Sequence, residues 1–234
     1  MKILALETSA KAVSAAVSED GKILCCGYQD TGLTHSRTLM PIVEHILKNT
    51  GLTVQDCDAI AVAAGPGSFT GIRIGVAAAK GLAFAADKPA VGVSTLAAMA
   101  RGVNLFDGLI LCAMDARRQQ IYNALFSSEG GQLTRLTEDR AISLEDLARE
   151  IGGDPRPKLV VGDGARLCRD YLTTVGIACH LAPPQLVMQN ACGVALEAEA
   201  VAAAGGLVTA QALEPVYLRP AQADRLRQQT SARP

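Results

Sequence analysis

Short apolar runs at the start of the chain have the pattern of β-strands. Residues 2–7 form one run, which ends on the carboxylate Glu7. Two further runs, 12–17 and 22–28, are separated by a Glu-Asp-Gly turn at 19–21. A turn of this kind between apolar runs is typical of a hairpin. The pattern therefore predicts a three-stranded antiparallel start.

The first half continues with helical spacing. A helix is indicated by apolar residues at 39, 40, 43, 46 and 47. Pro41 predicts either a kink in this helix or a helix that starts just before it. An apolar strand over 58–64 then enters the glycine turn 65–71, and a small-residue helix follows over 72–86. A short strand and a short helix are expected at 90–93 and 94–101.

The second half repeats this order. Its first strand, 109–114, ends on Asp115, which lies 108 residues after Glu7. Further strands are expected over 120–126 and 158–161. Helices are expected over 144–151, from the turn at 162–164 to about 172, and over 190–204. Two β-β-β-α-β-α units predict a duplicated α/β protein with a mixed sheet in each lobe. Coincidence is the alternative, because apolar strands followed by glycine turns are common in α/β proteins.

The repeat also predicts the division of the chain. We expect a first lobe over 1–104, a second lobe over 105–220 and a flexible tail over 221–234. The tail is basic, with Arg225, Arg227 and Arg233. Solvation of this tail is the plainer interpretation, and contact with RNA inside a complex is the other.

Composition narrows the class of protein. The content of 49% hydrophobic residues against 19% charged residues excludes solvated disorder over most of the chain. A net charge of −1 disfavours strong RNA binding by this chain alone. Seven scattered cysteines without C-x-x-C indicate neither a disulfide framework nor a structural zinc site, and fit a reducing cytoplasm. No apolar run is long enough to predict a membrane span.

Two glycine turns and two strand ends are candidates for a nucleotide cleft. Glycines allow close approach of a ligand to the backbone, and a following helix N-terminus favours an anion. Neither turn matches a standard nucleotide fingerprint, so a phosphate cradle and a tight strand–helix junction both stay open. Asp115 is a candidate for holding a metal-bound water, although pairing with Arg117 or Arg118, or simple exposure, is the plainer interpretation. The candidate cleft residues are Thr8, Ser9, Gly65, Gly67, Ser68, Asp115, Gly162 and Gly164.

Signals for catalysis are absent from the sequence. The three histidines form no H-x-x-x-H or H-E-x-x-H pair, and no G-x-S-x-G motif occurs. We therefore predict no catalytic residue, no metal ligand and no obligatory cofactor.

The two long helices of the first half are more apolar than one buried face requires. Arg73 and Lys80 are the only charges over 72–86, and such a helix is buried on more than one side. We hypothesise that both helices contact a partner protein, with burial inside the chain as the alternative. Ile72→Glu or Gly75→Leu is then expected to abolish pairing with little loss of folding. The predicted interface residues are His35, Ser36, Leu39, Met40, Val43, Ile72, Arg73, Gly75, Val76 and Ala79.

Several segments resemble the TsaB (formerly YeaZ) family over nearly the whole chain. They are Ile3–Ser9, Thr34–Pro41, Pro215–Arg219 and the highly specific Gly-Pro-Gly-Ser-Phe-Thr-Gly-Ile-Arg at 65–73. The resemblance implies a duplicated actin-like fold of the ribonuclease H-like, sugar-kinase and Hsp70 type. It further implies a cytoplasmic protein needed to form N6-threonylcarbamoyladenosine in tRNAs that read codons beginning with A.

The same resemblance implies partners. TsaB proteins form homodimers, and heterodimers with the catalytic paralogue TsaD, through helices that match 36–48 and 72–86. TsaE, an ATPase, joins the pair, and TsaC supplies threonylcarbamoyl-adenylate. TsaD carries a metal held by an H-x-x-x-H helix, which this sequence lacks. The chain is thus expected to be a non-catalytic subunit that meets tRNA only through the complex.

Two other classes of function were weighed. The fold and the glycine turns favour an ATP-using enzyme of the actin-like or sugar-kinase class. Weak binding of ATP or ADP within the complex, without an obligatory cofactor, is the related expectation. A metallopeptidase, the activity once associated with glycoprotease-like relatives, is disfavoured because the metal ligands are missing.

Overall fold

The computed structural model describes residues 1–117 and 119–219. The predicted tail over 221–234 lies outside these residues. The first sheet has five strands in the order β3-β2-β1-β4-β5. Its strands are β1 (Lys2–Glu7), β2 (Val13–Glu19), β3 (Lys22–Gln29), β4 (Ala59–Gly65) and β5 (Ala90–Ser94). The first three are antiparallel, as predicted, and β4 and β5 run parallel to β1.

Three helices belong to this half of the chain. They are α1 (His35–Thr50), α2 (Phe69–Ala85) and α3 (Thr95–Arg101). Helix α1 begins six residues before Pro41, so the prediction of a start just before that proline is wrong. Because proline has no backbone N–H, the Arg37 carbonyl receives no hydrogen bond from residue 41. Both residues are exposed to solvent. Gly51, with φ of 67°, ends the helix.

The second sheet repeats the first, which confirms the duplicated fold. Its order is β11-β10-β6-β7-β8, and β9 pairs with β7 beside β8. The strands are β6 (Gly108–Asp115), β7 (Gln120–Glu129), β8 (Gln132–Arg135), β9 (Arg140–Ser143), β10 (Lys158–Val161) and β11 (His180–Leu181). The helices are α4 (Leu144–Ile151), α5 (Ala165–Thr174) and α6 (Ala191–Ala203). In both sheets the first strand is central, with its hairpin partner on one side and a parallel strand on the other.

The layers of the molecule follow from which faces are apolar. Helices α1 and α2 cover one face of the first sheet, and α6 covers the other. Helix α3 packs on the second sheet, whose opposite face carries α4 and α5. Helices α3 and α6 meet where Gly193 approaches the backbone of Ala98 so closely that a Cβ would overlap it.

The last part of the chain returns to the first lobe. Helix α6 packs on Ile3 and Ala5 of β1, although it lies within the predicted second lobe over 105–220. Val208 then bridges to Ala90 of β5, and Leu213 is buried in the first core. The expected boundary at 104 therefore separates the two sheets but not the helices that cover them.

In the ranges that the structure describes, none of the helices combines the length and the apolar character that crossing a membrane requires.

Candidate functional site

The turn that follows β1 is bonded directly to the glycine turn. Thr8 and Ser9 are fully buried. Thr8 Oγ1 donates a hydrogen bond to the carbonyl of Gly71 (2.7 Å), and the Ser68 N–H donates to the carbonyl of Ser9 (2.7 Å). The strand end and the start of α2 thus form one packed unit.

The glycines on this side are required by close packing. A Cβ at Gly67 would lie 2.6 Å from the Ser9 carbonyl oxygen, and at Gly71 or Gly75 it would overlap Thr8. Ser68 caps α2, because its Oγ accepts from the Gly71 N–H (3.3 Å). Contacts within the chain therefore account for these glycines. This agrees with the interpretation of the turn as a tight strand–helix junction.

Residues 213–219, here called the C-terminal strap, cover the other side of the turn. The Val216 N–H donates to the Ala64 carbonyl (2.7 Å). Gly65 has a φ of 139°, and a Cβ there would overlap the Val216 carbonyl. Only glycine combines a positive φ with the absence of a Cβ, so position 65 requires it. The strap therefore lies against Gly65, where the sequence analysis considered a bound ligand.

The strap also binds the first turn of α2. Arg73 Nε donates to the Tyr217 hydroxyl (2.9 Å), and its guanidinium lies 3.8 Å from the centroid of the Phe69 ring. The rings of Phe69 and Tyr217 are 5.0 Å apart. Arg73, predicted to contact a partner, is thus already stacked within its own chain.

At its far end the strap reaches the second lobe. Arg219 donates to the Ala116 carbonyl (3.1 Å) and to the side chain of Gln120, and it lies over the Tyr122 ring at 5.7 Å. The strap consequently joins the two lobes across the cleft.

Two acids, one from each lobe, lie close enough to interact: Glu7 is buried and Asp163 is half-buried. Glu7 is 1% exposed, its Oε1 accepts from the Ser9 N–H (2.5 Å), and its Oε2 has no partner. Burial and, to a smaller extent, the charge of Asp163 raise the pKa of Glu7 to about 7, although the hydrogen bonds from Ser9 lower it. Burial also raises the pKa of Asp163, which accepts from Gln189 Nε2 (2.9 Å). The cleft therefore favours a proton on at least one carboxyl.

The second-lobe turn is built like the first. Gly162 has a φ of 114°, and a Cβ there would overlap the Ala113 carbonyl. A Cβ at Gly164 would lie 2.8 Å from the Asp115 nitrogen. Asp115 is exposed and accepts from the Arg117 backbone N–H (2.7 Å).

The structure brings the predicted cleft residues together within each lobe. The set of cleft residues predicted from the sequence did not include Glu7, Asp163 or Gln189. The strand-end position of Glu7 and the flanking glycines of Asp163 were available signals. No signal in the sequence marked Gln189, because it lies in a loop that is distant in sequence from both turns. Among the described residues no group of three His, Cys, Asp or Glu side chains is arranged to hold a metal.

Most predicted interface side chains belong to the core of the first lobe, which corrects the sequence analysis. Helices α1 and α2 turn these side chains towards the sheet, where a partner cannot reach them. The residues concerned are Leu39, Val43, Ile72, Gly75, Val76 and Ala79. Ile72→Glu would bury a charge, and Gly75→Leu would collide with Thr8. Both are now expected to disturb folding, contrary to the expectation from sequence.

The other four predicted residues are accessible. Ser36, Met40 and Arg73 are exposed, and His35 is half-buried. His35 Nε2 lies 2.9 Å from the Ala10 carbonyl and 3.2 Å from that of Ala12, so this side chain ties α1 to the first hairpin.

Both helices also carry exposed residues, and we call a set of these the α1–α2 face. It consists of Ser36, Met40, Arg73, Ala77, Gly81 and Phe84. Phe84 is 71% exposed and Met40 is 44% exposed. Exposed apolar side chains that stand singly are normal on a monomer, whereas apolar residues that share a patch mark a contact site.

Two halves, one with a five-stranded and one with a six-stranded mixed sheet built around the same central order of strands, define an actin-like protein. A family model described as "TsaD: tRNA N6-adenosine threonylcarbamoyltransferase" matches residues 29–210. TsaB of Escherichia coli is 32% identical over 225 residues, covering 94% of this chain and 95% of that protein. TsaB of Bacillus subtilis is 35% identical over 175 residues, covering 75% of this chain and 76% of that protein.

A solved structure agrees with these sequence relatives. YeaZ from Pseudomonas aeruginosa superposes with a TM-score of 0.80 at 29% identity, covering 93% of this chain and 99% of that one. The chain belongs to the TsaB (YeaZ) family. Its class of function is tRNA threonylcarbamoyladenosine biosynthesis, the process for which the curated relatives are named.

Proposed function

We propose that this chain is a non-catalytic subunit that binds and activates TsaD during threonylcarbamoylation of tRNA. The observation that carries the proposal is the α1–α2 face, where Met40 and Phe84 are exposed on adjoining helices. An apolar surface with small residues between its anchors suits close packing against another protein. Ala77 and Gly81 are the small residues here.

The non-catalytic part of the proposal draws on the sequence and the cleft. The chain contains three histidines, and no two are four residues apart. The glycines of both turns are taken up by the chain's own backbone, which leaves an ATP-using reaction without support at these turns. TsaE, a homodimer and tRNA contact through the complex are further expectations of the same proposal.

Substitution on the α1–α2 face tests the partner surface. Met40→Glu and Phe84→Glu place a charge where burial is proposed, so each is expected to weaken TsaD binding at least about tenfold. The measurement is calorimetric titration of the purified chain with TsaD from the same organism, supported by co-elution in size-exclusion chromatography.

The matched control is Leu167→Glu, which introduces the same charge on α5 at a side chain 40% exposed. It should bind TsaD like the unaltered chain, and circular dichroism should show that all three variants are folded. Equal binding by Met40→Glu, Phe84→Glu and Leu167→Glu would show that the partner surface is elsewhere.

A further inference from the structure

Helix α6 lies along β2, close to the free edge of the first sheet. At its start the Ala191 N–H donates to Ser14 Oγ (2.9 Å). Near its end the Gly21 N–H donates to Glu199 Oε1 (2.8 Å). These two bonds hold the helix over the β2–β3 hairpin, and β3 is the edge strand of that sheet.

Adjacent cysteines on β3 point to opposite faces, because side chains alternate along a strand. Cys25 packs with the core under α1. Cys26 is paired with Ala16, and Ala16 packs in the cluster that α6 completes with Ala191 and Cys192. Cys26 therefore faces α6.

Cys192 meets Cys26 from the first turn of that helix. Asn190 caps the helix, with its Oδ1 accepting from the Gly193 N–H (3.2 Å). The interaction between the two thiols lowers the pKa of Cys192 below its usual value and raises that of Cys26. A helix N-terminus favours a thiolate as well. Cys26 is exposed, so small reagents have access to the pair.

We propose that Cys26 and Cys192 are a redox-active thiol pair that closes to a disulfide between β3 and α6. The oxidant is a small disulfide of the oxidised-glutathione class. The Cys192 thiolate attacks one sulfur of that disulfide, forms a mixed disulfide and releases one glutathione thiolate. Cys26 then loses its proton and attacks Sγ of Cys192, which releases the second glutathione. Two electrons pass from the protein to the oxidant, and the new bond joins the two Sγ atoms.

The position of this bond links it to the cleft. Cys192 follows Gln189 by three residues, and Gln189 holds Asp163 of the second lobe. The disulfide would tie the start of α6, and with it this loop, to the edge of the first sheet. In a compartment with a glutathione pool, a pair of this kind closes when the oxidised form accumulates and is reopened by two equivalents of the reduced thiol.

Oxidation of the purified full-length chain tests the proposal. After incubation with oxidised glutathione, the intact mass should fall by two hydrogens, and two fewer thiols should titrate under denaturing conditions. Trypsin leaves Cys25 and Cys26 on one peptide, because it cleaves after Lys22 and Arg37. Variants are therefore needed to assign the bond.

Each variant has a distinct expected result. Cys26→Ser should stop at one glutathione adduct on Cys192, and Cys192→Ser should form no internal bond and react more slowly. Cys25→Ser and Cys179→Ser are the controls and should close the bond like the unaltered chain. An unaltered chain that gains no internal disulfide would overturn the proposal, as would a bond that persists in Cys26→Ser or disappears in Cys25→Ser.

Discussion

At the scale of single residues, Glu7 is the most unusual side chain in the cleft. It is buried at the end of β1 with one oxygen unpaired, and it senses the charge of Asp163. An ionised carboxylate in this position is costly, because no cation among the residues that the structure describes lies beside it to offset the loss of water. The folded chain therefore holds a proton on Glu7 more tightly than the unfolded chain does.

Stability should fall with pH for this reason. The pKa of Glu7 is about 7 when folded and 4.5 in its usual state, so the folded chain binds more protons between these values. The contribution is fully present below pH 4.5 and is lost as pH rises through 7. The two pKa values correspond to about 3 kcal/mol. Burial raises the pKa of Asp163 in the same direction.

Glu7→Gln removes this titration while keeping the size of the side chain. Urea unfolding should show that the unaltered chain loses much of its free energy of unfolding between pH 5 and pH 8. The loss in the variant should be smaller by about 3 kcal/mol. If both proteins had the same pH dependence, Glu7 would not be the titrating group.

At the scale of elements, α2 shows how one sequence feature serves two purposes. Its glycines and alanines were interpreted from sequence as partner-facing, because no polar side marked an inner face. In the structure Gly71 and Gly75 face Thr8, whereas Gly81 is exposed and has nothing within 4 Å of a Cβ. Glycine is therefore needed for packing in the first half of the helix and not at position 81.

A pair of alanine substitutions in α2 separates these roles. Gly71→Ala should lower the free energy of unfolding by about 1–3 kcal/mol, because the new methyl group overlaps the Thr8 carbonyl. Gly81→Ala should raise it by about 0.5–1 kcal/mol, because alanine favours the helix and meets open space. Thermal or urea unfolding measures both, and changes of the same sign would contradict the assignment.

At the scale of the whole molecule, the C-terminal strap connects parts of the chain that are distant in sequence. It begins in the first core at Leu213, bonds to β4 through Val216 and ends on the β6–β7 turn through Arg219. Its contacts span both lobes. The strap consequently limits how far the lobes move apart.

Arg219→Ala should loosen the β6–β7 turn. The charged hydrogen bonds of Arg219 to Ala116 and Gln120 contribute about 1.5 kcal/mol. Hydrogen exchange of the amides at 116 and 120, which bond within this turn, should then be about tenfold faster. Arg166→Ala, an exposed position on α5, is the control and should leave these amides unchanged.

Local patterns in the sequence were sufficient for the elements and for the duplication. Alternation and helical spacing are properties of a few neighbouring residues, so β1–β3 and the long helices were predictable within a few positions. The short strands β8, β9 and β11 were missed, because they carry too little periodicity, whereas β10 was predicted from its unbroken apolar run although it is no longer than β9. The family motif at 65–73 was recognisable, although the contacts that require its glycines were not.

By itself the sequence determined the class of fold, the two repeated halves and the family, since all three are encoded in order and spacing along the chain. The tertiary structure alone decided which sides of α1 and α2 are buried, because a helix that is apolar all round has no preferred inner face. It also decided that α6 and the strap return to the first lobe, and that Glu7 meets Asp163 and Cys26 meets Cys192. These are contacts between residues far apart in sequence, which only the packing of the sheets brings together.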